Sequence, residues 1–124
     1  MNVVDSSAWL EYLAGTKNGE LFSKQIENTD KLVVPVITIH EVFKKILTES
    51  NEENALKIAA HMRLGKVIEV NLSISLEAAK FGKQLKLPMA DALIYATARQ
   101  YDCTIWTQDE HFKGLDGVRY FPKK

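Results

Sequence analysis

Four acidic residues, Asp5, Glu41, Asp91 and Asp109, each stand just past a short apolar run or in the first turn of a helical pattern. In a parallel α/β layer such positions gather at one rim of the sheet. Carboxylates that converge repel one another, and proteins usually resolve the repulsion by holding a hard divalent cation among the oxygens. The chemistry implied is hydrolysis, with a bound cation supplying hydroxide and spreading charge over phosphoryl oxygens.

The positioning elements are legible as an alternation. Val3-Val4, Leu32-Val33-Val34, Val67-Ile68-Glu69-Val70 and Cys103 to Trp106 are strand-length and rich in β-branched residues, and Val118-Arg119-Tyr120-Phe121 is a fifth candidate. Helical patterns lie between them, so the expected fold is α/β: a central parallel sheet of four to five strands flanked by helices, one domain over residues 1–124. Ser6 and Ser7 are expected to cap a first helix that Gly15 ends, and Thr38-Ile39-His40-Glu41 has the spacing of a capping box. Behind that box Ile39, Val42, Phe43, Ile46 and Leu47 share one helical face. Further helices are expected from about Glu52 to Met62, Ser75 to Leu85 and Met89 to Tyr101, punctuated by Gly65 and Pro88.

On an open parallel sheet, ligands bind outside the carboxyl ends of the strands. Asp5 ends the first strand, Asp109 follows the strand through Trp106, and Glu41 sits in the first turn after the second strand. Asp91 joins them if its helix runs down from the upper rim into the strand at Cys103. Each acid also has an ordinary explanation as a cap, a turn former or a favourable charge at a helix start. Glu41 in particular is expected to point away from the apolar face, where Lys45 could pair with it for about 0.2 to 0.5 kcal/mol.

Composition bounds the alternatives. The chain has 124 residues, 46% hydrophobic and 26% charged, a profile that can bury its own core. Lys plus Arg equals Asp plus Glu at 16 each, so attraction to a polyanion must come from a local patch. Lys44, Lys45, Lys83, Lys86, Arg99, Lys113 and Arg119 are the pool, and Lys113, four residues after Asp109, is expected to border the cleft together with Lys45 as substrate-binding candidates. The single cysteine, Cys103, excludes an intrachain disulfide and is expected in the core. The opening residues read as a strand and not as an export segment, so a cytoplasmic protein is expected. His40, His61 and His111 show no metal-ligand spacing between them and are expected as surface or half-buried polar residues. Trp9, Tyr12 and Phe22 are expected in the core or at a subunit contact.

With these residues placed, the chain resembles the PIN-domain nucleases, and most closely the small VapC-type toxins of prokaryotic toxin-antitoxin pairs. The resemblance lies in Val3-Val4-Asp5-Ser6-Ser7-Ala8-Trp9, Val34-Pro35 through Glu41, Leu87-Pro88-Met89-Ala90-Asp91-Ala92-Leu93-Ile94 and Thr107-Gln108-Asp109-Glu110-His111-Phe112, in the family's order. It implies an endoribonuclease whose catalytic acids are Asp5, Glu41, Asp91 and Asp109. Asp5, Asp91 and Asp109 would bind Mg²⁺, with Mn²⁺ as the alternative, and Thr107 and Ser6 would support them. It further implies an RNA substrate and an antitoxin protein as partner, and a homodimer fits it. A catalytically inactive binding module is the first alternative. A magnesium-dependent phosphatase or receiver domain is the second, but Ser7 stands where a phosphatase would want an aspartate, and Val70-Asn71 supplies no acid after the third strand.

Overall fold

The computed structural model describes residues 1–124 throughout. Five short strands, β1 (Asn2–Val4), β2 (Val33–Pro35), β3 (Lys66–Ile68), β4 (Thr104–Thr107) and β5 (Val118–Tyr120), alternate with six helices: α1 (Ser6–Leu13), α2 (Glu20–Glu27), α3 (Val36–Glu49), α4 (Glu52–Met62), α5 (Leu72–Leu85) and α6 (Met89–Gln100). All strand pairs are parallel, with Val3 opposite Ile105, Ile105 opposite Val118 and Val34 opposite Val67.

The expected single sheet of four to five strands is corrected to a three-stranded sheet, β1-β4-β5, beside a two-stranded one, β2-β3. Only one bridge, Asn2 to Leu32, joins them. Each three-residue strand beside that bridge forms its ladder with another neighbour, β1 with β4 and β2 with β3.

Adjacent strand residues face opposite cores. Val3 and Val33 pack with Ile105, Ile94 and Phe112 on one side, while Val4 and Val34 pack with Trp9, Phe22, Val42 and Met62 on the other. Burial on both faces explains why β1 and β2 carry continuous apolar runs and not alternating ones. Each of these large side chains contributes on the order of 1.5 to 3 kcal/mol by leaving water. Cys103 is buried and free. No helix is long and apolar enough to cross a membrane.

Several helix starts differ from expectation. Asp5, not Ser6 or Ser7, caps α1, its carboxylate accepting the Ala8 N–H at 3.1 Å. The capping box at Thr38 is absent, because α3 begins two residues earlier at Val36, behind Pro35, with no side-chain cap. Ile37 packs on the core and Thr38 is fully buried, so packing of the first turn outweighs the cap preference. Asn51 and Asn71 cap α4 and α5 through the N–H groups of Asn54 and Ile74. Gly15, at φ +71°, follows the end of α1 as expected. The sequence pattern left α2 unmarked, although Phe22 and Ile26, one turn apart, are both buried.

Two glycines test this packing in opposite directions. A Cβ on Gly19 would stand 2.5 Å from the Glu11 carbonyl oxygen and 2.8 Å from the Tyr12 Cα, both backbone atoms of α1. On Gly82, inside α5, it would meet only ordinary contacts at 3.5 Å or more. Gly19→Ala should therefore lower stability by about 1 to 3 kcal/mol. Gly82→Ala should raise it by about 0.5 to 1 kcal/mol, with urea midpoints as the measurement.

Candidate functional site

Parallel pairing of β1 with β4, Val4 opposite Trp106, brings Asp5 beside the segment Thr107-Gln108-Asp109. The Asp5 N–H donates to the Trp106 carbonyl at 3.1 Å, continuing the ladder to the sheet edge. Its carboxylate is 1% exposed and receives the Ser7 hydroxyl at 2.9 and 3.0 Å as well as the Ala8 N–H. Burial pushes the Asp5 carboxyl up to about 7, against hydrogen bonds from Ala8, Thr107 and Ser7 that favour its charge, and the nearby Asp109 charge raises it further. The Thr107 hydroxyl also accepts the Asp109 N–H at 2.9 Å, linking the two acids.

Asp91 lies in the first turn of α6, and Asp109 caps a short 3-10 turn, Glu110–Phe112. Between them stands the His111 ring, its Nδ1 2.8 Å from Asp91 Oδ2 and 3.2 Å from Asp109 Oδ1. Ligand atoms of all three lie within 4.8 Å of one another. Burial, then the Asp109 charge, lift the Asp91 carboxyl to about 6, while His111 pulls it down and Glu41 adds a smaller upward push. His111 is itself raised, first by the Asp109 charge and then by its hydrogen bond to Asp91.

His111 is at the surface as expected, but it stands against two of the acids, a placement that the absence of histidine-to-histidine spacing did not reveal. A search for paired histidines could not find it, because its partners are carboxylates. The signal was an acid two residues before a histidine, spaced so that one tight turn brings them together.

Glu41 sits in the second turn of α3, not the first, and is half-buried. Its Oε1 accepts the Ser6 hydroxyl at 2.6 Å, which ties α3 to the start of α1. The alternative reading of Glu41, a surface pair with Lys45, is not formed; Lys45 pairs with Glu49 at 2.8 Å. The structure therefore brings Asp91, Asp109 and His111 to one point. Asp5 is coupled to that point through Asp109, and Glu41 through Asp91.

Clefts open on both sides of the acids. One, of about 450 Å³, is lined by Ser7, Asp109, His111, Tyr120 and Lys123 among others. The other, of about 360 Å³, includes His40, Glu41, Lys44, Lys45 and Ala90, the last adjacent to Asp91. The Lys113 ammonium lies 5.8 Å from the Tyr120 ring centre, at the margin of the first cleft.

A parallel sheet with acids at its carboxyl edge places the chain in the PIN domain family, whose model, described as "PIN domain", matches residues 3–118, and the chain belongs to that family. Among solved structures it is similar to a toxin-antitoxin complex from Klebsiella pneumoniae, with a TM-score of 0.82 and 17% identity, covering 99% of this chain and 100% of that one. It is also similar to VapC20 of Mycobacterium tuberculosis, described as a Sarcin-Ricin loop cleaving toxin, with a TM-score of 0.76 and 15% identity over 94% of this chain and 95% of that one. FitAcB from Neisseria gonorrhoeae gives a TM-score of 0.75 at 20% identity, covering 98% of each chain. At such identities the likeness is one of fold. No curated protein matches the sequence.

The raised Asp5 carboxyl has a pH consequence for the metal-free protein. A folded-state value near 7 against 3.8 for the free group means that folding disfavours the ionised form. Stability is therefore lost as pH rises from about 4 to about 7, where the unfolded chain binds fewer protons. Asn keeps an acceptor for the Ala8 N–H, so Asp5→Asn should raise the melting temperature by several degrees above pH 7 in EDTA. The advantage should vanish toward pH 4.

Proposed function

We propose that the chain is a cytoplasmic, metal-dependent endoribonuclease, the toxin of a toxin-antitoxin pair, which hydrolyses RNA phosphodiester bonds with Mg²⁺ or Mn²⁺. The observation that carries this function is the convergence of Asp91 and Asp109 at the carboxyl edge of a parallel sheet in a PIN domain. The toxin-antitoxin complexes among its structural neighbours support an antitoxin protein as partner. A homodimer is compatible with the same relationship.

The residues present fit a hard cation. Asp91 Oδ1 and Asp109 Oδ2 accept no protein hydrogen bond, while burial and mutual repulsion raise the cost of leaving these acids without a counter-charge. Asp91 and Asp109 would hold the ion, with Asp5 acting through water. When bound, the ion supplies hydroxide at neutral pH and offsets charge on the phosphoryl oxygens.

The remaining groups position and bind. Glu41, with Oε1 held by Ser6, presents Oε2 to orient the attacking water and accept its proton. Thr107 fixes the Asp109 backbone. The RNA strand crosses the acids from one cleft to the other, its phosphates met by Lys113 on one side and Lys45 on the other. A chain of zero net charge gains its affinity for a polyanion only from such local contacts.

Labelled RNA should be cut in Mg²⁺ or Mn²⁺ and left intact in EDTA. Asp91→Asn and Asp109→Asn should each slow cleavage at least about a hundredfold while circular dichroism stays unchanged. Cutting that persists in EDTA, or in both variants, would remove the proposal. Lys113→Ala and Lys45→Ala should each weaken RNA binding across sequences and reduce the slope of log affinity against log salt by about one.

A further inference from the structure

The centre contains a nitrogen donor that an acid-only site would lack. We propose that His111 Nδ1 is a direct ligand of the ion, so that Asp91, Asp109 and His111 form a two-carboxylate, one-imidazole centre that selects first-row transition ions such as Mn²⁺ over Mg²⁺. The inference rests on the metal-dependent function above and assigns the composition of its centre.

Three features place the ring there. Its Nδ1 is 2.8 Å from Asp91 Oδ2 and 3.2 Å from Asp109 Oδ1, and one ligand atom from each of the three residues falls inside 4.8 Å of the others. The backbone beneath it is pinned on both sides: the His111 N–H donates to Asp109 Oδ1 at 2.9 Å, and Phe112, the next residue, is fully buried. The imidazole itself is 55% exposed, so a small pivot about its side-chain bonds can admit an ion between ring and acids without disturbing the core.

Donor chemistry then sets the preference. Mg²⁺ takes oxygen ligands and keeps several waters. An imidazole nitrogen adds affinity for first-row divalent ions, increasingly from Mn²⁺ through Co²⁺, and little for Mg²⁺. A histidine on the surface with no role, or one serving only as an internal counter-cation, would give neither selectivity nor a bond to the ion.

The test uses the full chain loaded with Mn²⁺. Pulsed electron paramagnetic resonance should show nitrogen-14 modulation from a bound imidazole in the wild type and none in His111→Ala. Calorimetric titration should show His111→Ala weakening Mn²⁺ by at least about tenfold and Mg²⁺ by less than about threefold. The proposal is overturned if bound Mn²⁺ gives no nitrogen signal in the wild type, or if His111→Ala binds both ions more tightly, which is the signature of a displaced counter-cation. Absence of Mn²⁺ binding, or binding that survives Asp91→Asn and Asp109→Asn together, would instead remove the metal centre itself.

Discussion

Repulsion among carboxylates that the backbone forces together is the constraint around which this protein is built. Asp5 and Asp109 meet because β1 and β4 are parallel neighbours, and Asp91 meets them because α6 begins at the same edge. Asp5 and Asp109 cannot turn to solvent without breaking a cap, and Asp91 cannot without losing the His111 ring. The chain surrounds the charge with donors: the Ala8 N–H and Ser7 hydroxyl on Asp5, the His111 N–H on Asp109 and the His111 ring on Asp91. These donors offset the cost only in part, as the raised Asp5 and Asp91 carboxyls show. Apolar burial on both faces of the strands holds the arrangement against that residual cost, which is common where a site sacrifices stability for function.

Legibility in the sequence followed the length scale of each signal. Strand segments rich in β-branched and aromatic residues read as short apolar runs whether fully buried, as β2 is, or half-exposed, as β5 is, so all five were visible from Val3-Val4 to Val118. Long helices with an apolar stripe, such as Glu52 to Met62, were also visible. What failed were features decided by tertiary packing. Thr38 offers a good cap, yet Val36 and Ile37 fold into helix ahead of it because Ile37 has a core to join. That β1 and β2 meet in a single bridge and not a ladder is a matter of tertiary placement, which residue types do not encode. Glu41 illustrates the same point at the site: its surface pairing with Lys45 obeyed a sound local rule, but a hydroxyl 35 residues away captured the carboxylate.

The division of the sheet leaves the centre intact because the two elements that carry most of it are joined by a full ladder. β1 and β4 pair over three consecutive residues, and the Asp5 N–H extends the pairing to the very edge where the acids begin. β2 contributes only through α3 and Glu41, whose link to the rest is one hydrogen bond to Ser6. Asp5 and Asp109 therefore sit at the edge of one hydrogen-bonded ladder, while Glu41 reaches the centre from a separate helix seated by the fully buried Thr38 and Val42.

The edge that carries Asp109 is also braced by a buried amide within the stretch Thr107-Gln108-Asp109. Gln108, between Thr107 and Asp109 and 4% exposed, accepts a hydrogen bond from Asn18 Nδ2 at 2.6 Å and donates to Glu11 Oε1 at 2.9 Å. Glu11 in turn accepts the Thr16 hydroxyl at 2.6 Å, and Gly19 lies tight against the α1 backbone. The loop from Thr16 to Gly19 is thereby fastened to the segment that presents Asp109, and α1, capped by Asp5, is fastened to the same loop. Two acids separated by more than a hundred residues thus share one hydrogen-bonded support. A change in that loop should reach both, through geometry and without touching either carboxylate.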